Sequence, residues 1–343
     1  VDSPTLLSVP NVSEGRDAAS IAEIGRAFSG EGGTGETPAK SDAAPVAGAG
    51  APVRLLDVHA DPDHHRSVFT LAGAAHALPD ALLGGGRAVL ERVDVMARAA
   101  AGGEEAGQHP HIGALDVVPI VYLDLAARGA ALATALLVAD RIGDELEVPV
   151  FLYGELTASG GSAGRTRADL RRGGVERLAE RIAAGVDAKR QDARGSVASG
   201  SRGLEALRPD FGPARLHPRA GATLVAARPP LVAFNLELSL PATPEDARRI
   251  ASLIREGGEE GMPGLRAIGV ALEGRRAQVS MNVERPLELP LALVIEAVAR
   301  HAGIESAELV GLAPRAALEG FPPEIPMPGF DAARHVIENA IGC

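Results

Sequence analysis

Along the 343 residues the spacing of apolar side chains switches repeatedly between a period of two and a period near 3.6, the pattern of strands alternating with helices. In the first half, Leu6–Pro10 reads as a strand and Asp17–Ala27 as a helix capped by Ser13 or Asp17. Val53–Val58 and Arg66–Ala72 read as two strands joined by the turn-rich DPDHH segment. A helix from about Pro79 to Ala100, a strand Asp116–Leu123, an Ala-rich helix Asp124–Leu146 and a strand Val148–Tyr153 follow. The second half runs strand Leu231–Leu238, helix Pro244–Glu256, strands Leu265–Glu273 and Arg276–Val283, helix Pro290–His301, strand Ala307–Leu312.

Strand, helix, strand, strand, helix, strand is the split βαβ, or ferredoxin-like, order, and it is expected twice. The predicted class is therefore α+β, with two ferredoxin-like subdomains of mixed sheets and helices on one face. Residues 1–227 form the first, 228–325 the second, and 326–343 a C-terminal tail. Gly30–Pro52, almost without large apolar side chains, is expected to be a mobile insertion. Between the subdomains, Gly154–Pro218 is rich in Arg and Gly, with one helical stretch, Gly174–Gly185, that aligns Val175, Leu178 and Ile182 on one face.

Composition adds limits. Hydrophobic residues at 46% and charged residues at 23% are globular values, while aromatics are only 3% and Trp is absent, so the core must be aliphatic. A net charge of -11 without a basic stripe argues against nucleic-acid binding. The single cysteine, Cys343, fits a reducing compartment. No N-terminal targeting pattern is present, and the longest apolar run, Gly129–Ala139, is too short to span a bilayer. A cytoplasmic protein without a membrane partner is expected.

Five of the nine histidines, His59, His64, His65, His109 and His111, lie in two short segments, LDVHADPDHHRSV and QHPHIGALDV. Imidazole with carboxylate suits a metal, but no tight ligand template such as HExxH is present, and Asp-Pro-Asp is also ordinary turn chemistry. Acid/base catalysis is the third reading. A His poised near neutrality takes a proton from an amine nucleophile and returns one to the leaving amine, and Pro110 restricts the backbone of His109 and helps to aim it. Arg165–Arg177 is a candidate carboxylate grip or a solvated helix face. Asp210–Thr223, DFGPARLHPRAGAT, is a candidate binding loop or a simple turn.

These segments resemble the formimidoyltransferase family. The likeness is carried by VPNVSEGRD at Val9–Asp17, RLLDV at Arg54–Val58, RSVFTLAG at Arg66–Gly73, HPHIGALDVVP at His109–Pro119, VPVFLYGE at Val148–Glu155, Asp210–Thr223, LVAFN at Leu231–Asn235, AQVSMN at Ala277–Asn282 and AELVGLAPRAAL at Ala307–Leu318. The resemblance implies two ferredoxin-like subdomains joined near Arg228, with tetrahydrofolate as co-substrate in a channel between them. It also implies a homodimer, and transfer of a formimidoyl group from N-formimidoyl-L-glutamate to N5 of tetrahydrofolate, in histidine degradation and one-carbon metabolism. His109 is the implied catalytic acid/base, and Gly212, Pro213, Ala214, Arg215, Leu216, His217, Pro218, Arg219, Ala220 and Gly221 the implied folate contacts. Asp57, His59, His65, Arg66, His111, Asp116, Arg228 and Asn235 are candidates to orient the imidazole or meet the donor, with Arg219 beside them. No metal is expected.

The chain departs from the family where it has His59 (often acidic there), His65 (Asn), Gln108 (Glu) and His111 (basic). Ala100–Gly107 is an extra stretch that is a candidate lid beside His109. The bifunctional relatives carry a separate cyclodeaminase domain, which is not expected within these 343 residues. Four alternatives stay open: a 5-formyltetrahydrofolate cyclo-ligase-type enzyme, which would use ATP although no GxxxxGK[ST] loop is present; transfer from another formimidoyl amino acid; a metal-dependent amide hydrolase built from His59, His64, His65 and His111; and a folate-binding protein without catalysis.

Overall fold

The computed structural model describes residues 3–30, 53–101, 111–158, 164–192, 206–272, 274 and 276–342. The expected mobile insertion therefore lies, apart from Gly30, outside the described residues, as do His109 and most of the candidate lid. The chain forms two compact units. One comprises the chain up to Leu55 together with Ala60–Arg228, and the other Leu56–His59 together with Pro229 onward.

The first unit contains β1 (Thr5–Ser8), β2 (Asn11–Val12), α1 (Ala18–Phe28), the two ends of β3 (Arg54–Asp61, whose Leu56–His59 belongs to the second unit), β4 (Arg66–Ala74), α2 (Leu78–Arg92), α3 (Val95–Ala101), β5 (Leu115–Val121), α4 (Arg128–Glu145), β6 (Val150–Leu152), α5 (Arg167–Arg171), α6 (Gly174–Asp192) and β7 (Thr223–Arg228). Its sheet is mixed. β1 and β2 both pair antiparallel with β4 on one side and β5 on the other, while β5, β7 and β6 run parallel, and β3 adds to β4. The strand expected over Leu6–Pro10 ends at Ser8, and a separate short strand, β2, begins only after Pro10, which has no N–H to give the ladder.

β7 was not anticipated. It lies between β5 and β6, completing the parallel part of the sheet, and its apolar run is short and hidden between the Gly/Pro-rich loop and Pro229–Pro230. The helix expected from Pro79 to Ala100 breaks at Val93, which is extended, and Asp94 restarts it by accepting from the Ala97 N–H at 2.9 Å. α1 and α2 approach closely at Gly85, where a Cβ would overlap the ring of the fully buried Phe28.

Both faces of this sheet are covered, contrary to the expected single helical face. On one side Val118, Ile120, Val225 and Ala227 pack with Ile24 and Phe28 of α1, Leu82 of α2 and Val138 of α4. On the other, Val117, Phe151, Leu224 and Ala226 pack with Leu170 of α5 and Leu178 and Ile182 of α6. Coverage of both faces is what a buried parallel segment requires, and β5 is buried at every position.

The second unit contains β8 (Val232–Leu238), α7 (Pro244–Ile254), β9 (Leu265–Ala271), β10 (Ala277–Val283), α8 (Leu291–Ala299), β11 (Ile304–Val310), α9 (Ala332–His335) and α10 (Ile337–Ile341). The sheet order is β11-β8-β10-β9, and every pairing is antiparallel, so this sheet is not mixed as expected. Phe234, Val279, Ile250, Val294 and Val298 form its core with α7 and α8. The expected tail packs within this unit: Pro326 accepts from the Ala307 N–H at 2.9 Å, and the Ile337 N–H returns to Ala313 at 2.9 Å. Among the described residues no helix is long and apolar enough to cross a membrane.

Candidate functional site

The loop from β2 to α1, Ser13–Asp17, is built on the strand that the second histidine cluster feeds. Ser13 donates its backbone N–H to Ala114 at 2.8 Å and its hydroxyl to Gly113 at 2.7 Å. The next residue, Glu14, is buried. Its carboxylate accepts from the N–H groups of Arg16 at 2.9 Å and Asp17 at 3.0 Å and pairs with Arg98 of α3. Burial alone would raise the Glu14 pKa, but the Asp17 and Arg16 donors, then Arg98 and His65, outweigh it and hold the carboxyl below its usual range.

Gly15 lets the β3–β4 turn come close, since a Cβ there would overlap the Asp61 carbonyl and the Arg66 amide. Its N–H donates to Nδ1 of His65 at 3.1 Å. His65 adopts φ of 49°, the left-handed region that few non-glycine residues enter. Burial lowers the His65 pKa, Arg98 adds to the shift, and Arg16 and His111 act in the same direction against Glu14. With Nδ1 accepting, His65 is a neutral imidazole whose Nε2 carries the proton. His65 and His111, expected to face one site, are thus within electrostatic reach of one another. The adjacent His64 is buried and paired with Asp61.

Asp116 sits at an irregularity of β5. Asn11 pairs with Val117 but Val12 with Leu115, so β5 carries one extra residue there, a β-bulge. The bulge lets Leu115 and Val118 join one core while Val117 joins the other, and Asp116 pairs with Arg171 of α5, on the face that α5 and α6 cover. Asp116 is fully buried, and its second oxygen accepts from the Ile112 N–H at 2.8 Å. The Arg171 side chain is only 10% exposed. Arg66, at the start of β4, is pushed down to about 10, first by burial and then by the charges of Arg171 and Arg167 against Asp116 and Asp61. α5 is held in place by Leu170, 1% exposed, and by Arg181, whose guanidinium caps the carbonyl of Asp169 at 2.9 Å.

The Gly212–Gly221 loop packs on the same segment. Ala114 donates to Ala220 and Ala222 to Ile112, both at 2.9 Å. Gly113 and Gly221 form a bridge so close that a Cβ on either would overlap backbone. Within the loop, His217 and Gly221 exchange backbone hydrogen bonds, and His217 Nδ1 accepts from the Ala220 N–H at 3.0 Å. Burial, followed by Arg219, lowers the His217 pKa. Arg219 pairs with Asp94 at 3.2 Å. The Arg228 carbonyl, at the end of β7, accepts from the Tyr122 N–H.

Asp57, His59 and Asn235 belong to the second unit. Glu308 of β11 joins two of them, with one oxygen 3.3 Å from His59 Nε2 and the other accepting from Asn235 at 2.7 Å. Asp57 lies 3.8 Å from His335 Nε2. Among the described residues, no group of three or more His, Cys, Asp or Glu is arranged to hold a metal ion.

The profile of the formiminotransferase domain, N-terminal subdomain, matches residues 5–228. The chain belongs to the formiminotransferase family. It is 32% identical to a glutamate formimidoyltransferase of Streptococcus pyogenes serotype M1, over 84% of this chain and 88% of that protein. It is 30% identical to a glutamate formimidoyltransferase of Thermoplasma acidophilum, over 90% of this chain and 88% of that one. To the formimidoyltransferase-cyclodeaminase of Mus musculus it is 32% identical over 90% of its length, spanning half of that longer protein.

Against this formiminotransferase framework, four residues that sequence reasoning gave no individual role stand out. Glu14 and Arg98 organise the turn at His65, Arg171 pairs with Asp116, and Glu308 joins His59 to Asn235. A signal existed for Glu14 and Gly15, an acid and a glycine between a strand and a helix cap. None existed for Arg98 or Glu308, whose partners are far away in sequence.

Proposed function

We propose that this chain is a glutamate formimidoyltransferase, moving the formimidoyl group of N-formimidoyl-L-glutamate to N5 of tetrahydrofolate. One observation carries this reading beyond likeness to relatives of that name. The Gly212–Gly221 loop, expected to hold folate, is hydrogen-bonded to Ile112 and Ala114, the segment entered directly from His109 and His111. The loop expected to bind folate is thus tied to the described residues that directly follow the expected proton-transfer group in sequence.

In the reaction, N5 attacks the amidine carbon. His109 takes the N5 proton as the tetrahedral intermediate forms and returns a proton to the glutamate nitrogen as the carbon–nitrogen bond breaks. His65, whose pKa burial lowers, keeps a further proton acceptor near that segment, and Arg66 supplies positive charge for a donor carboxylate. The antiparallel order of the second unit, with its first strand between its last and third, supports a ferredoxin-like assignment for that unit. A homodimer in the cytoplasm is part of the same reading.

Mixing the protein with tetrahydrofolate and formimidoylglutamate is expected to give the absorbance change of the folate product. Turnover with formimidoylglycine or formimidoylaspartate but not with the glutamate donor would redirect the assignment. His109→Ala is expected to retain folate binding while lowering turnover by roughly 10²–10⁴. Full activity in that variant would remove the role.

A further inference from the structure

Helix α4 is apolar on two faces. One face, with Ala131, Ala135, Val138, Ala139 and Ile142, packs into the core of the first unit. Gly129, Ala133, Leu136 and Leu137 recur at the i, i+4, i+7, i+8 spacing of a second stripe, and all four are exposed. Leu136 is 40% and Leu137 48% exposed, and the turn leading into the helix extends the stripe with Ala126 and with Leu125, which is 80% exposed. A helix apolar on all sides is normally enclosed on all sides, and a continuous exposed stripe marks a contact surface where scattered single residues would not. Polar groups rim it. On the flank toward α2, Arg87, Glu145, Arg141 and Asp80 form a chain of ion pairs, and on the other flank Arg128 bonds Glu155 at 2.7 Å.

The charges at the helix ends point to what covers it. Arg128 is the first residue of α4 and Asp144 lies in its last turn, with no acid in the first turn and no base in the last. Both ends thus oppose the helix dipole, which favours negative charge at the N-terminus and positive charge at the C-terminus. The carboxylates of Asp140 and Asp144, exposed at the end of the apolar stripe, have no hydrogen-bond or ion-pair partner among the described residues. A second α4 laid antiparallel on the first supplies what each end lacks, the basic end of one copy lying against the acidic end of the other. Parallel pairing would set Asp140 and Asp144 against themselves. Size is matched as well as charge: the antiparallel order puts Gly129 and Ala133, which keep the first half of the stripe low, opposite the leucines of the partner's second half.

We infer that the exposed face of α4 is the contact through which two copies of this chain pair about a twofold axis, helix antiparallel to helix. This rests on the proposed homodimer and gives it a surface. A twofold contact requires one patch complementary to itself. α4 is about 27 Å long and about 10 Å wide, near a third of the roughly 800 Å² that each partner of a stable dimer buries, so the ion-paired flanks join the contact as its polar rim.

Sedimentation equilibrium of the full chain across the micromolar range reads the contact directly. Leu137→Arg, at a position open to solvent within one chain, is expected to keep the circular dichroism of the fold and to weaken the dimer roughly 30–1000-fold. Asp140→Asn with Asp144→Asn is expected to weaken it roughly 3–10-fold, more at low salt than at high. In a Cys343→Ser background, Ala133→Cys is expected to be joined chain to chain by a short bismaleimide, because the position lies near the twofold axis and meets its own copy. That readout holds even where Leu137→Arg does not fold. Dimers of equal strength in wild type and Leu137→Arg would overturn the surface and leave the homodimer standing. Tighter dimers in the Asn variant would overturn the antiparallel pairing, as would the lack of any link through Ala133→Cys. A monomeric wild type overturns the surface and the homodimer together. Dimers that respond as expected but carry out no formimidoyl transfer overturn the activity and leave the surface standing.

Discussion

Around the turn at His65 two titratable groups are held in opposite states. Glu14 is kept ionised against its burial by backbone donors and Arg98, and His65 is kept neutral by burial and by Arg98, with Arg16, His111 and Glu14 the other charges facing it. Both pKa values lie below their ordinary positions of 4.5 and 6.5, so the unfolded chain binds more protons at each, and stability rises with pH across both. The contribution of His65 is complete above about 6.5 and is lost as pH falls through its folded value, and that of Glu14 follows below 4.5. The melting temperature is expected to decline from pH 7 to pH 5, and less steeply in His65→Asn. An equal slope in the variant would show that His65 does not titrate in this way. Asn is the apt replacement because the backbone demands it: at positive φ, Asn and His are among the few side chains that sit without large strain. The sequence displayed the histidines plainly, but not the left-handed turn that selects them.

Among the elements, α5 and α7 begin with the same device. Thr166 with Asp169, and Thr243 with Asp246, exchange side-chain and backbone hydrogen bonds as capping boxes. Thr166→Ala and Thr243→Ala are each expected to cost about 0.5–2 kcal/mol in urea unfolding. Only Thr166→Ala is expected to raise the donor KM, because α5 lies within Arg165–Arg177, the candidate carboxylate grip. Equal effects of both on KM would detach α5 from donor binding. Elements with a clean period were legible in advance: α7 and β8 to β10 lie within a few residues of their expected limits. What escaped had a local cause. Asp94 cuts one helix into two, Pro10 interrupts a strand, and β7 is a short apolar run between Gly/Pro-rich segments. The bulge in β5 has no sequence signature, because it exists only relative to β2.

At the scale of the whole molecule, a chain of net charge -11 sets the guanidinium of Arg171 against the fully buried carboxylate of Asp116. Buried charge is screened far less than surface charge, so total charge says little about the ligand taken locally. Sedimentation equilibrium is expected to give twice the mass of one chain, as the proposed homodimer requires. A monomer at micromolar concentration would remove that part of the reading. The candidate site was legible as two histidine clusters and an Arg-bearing segment, since chemistry-bearing residues crowd into few positions there. Its division was not. His65, Arg66, His111, Asp116 and the Gly212–Gly221 loop belong to one unit, and Asp57, His59 and Asn235 to the other. The second unit is consequently not a continuous stretch that recombination can lift out. A crossover at the 228–229 bond takes Glu308 and Asn235 from one parent and leaves His59 with the other. In a chimera with a relative that carries an acid at that position, two carboxylates would meet where this chain has an imidazole facing Glu308. Shuffled descendants would therefore inherit a charge conflict unless the short Leu56–His59 piece travels with its partner.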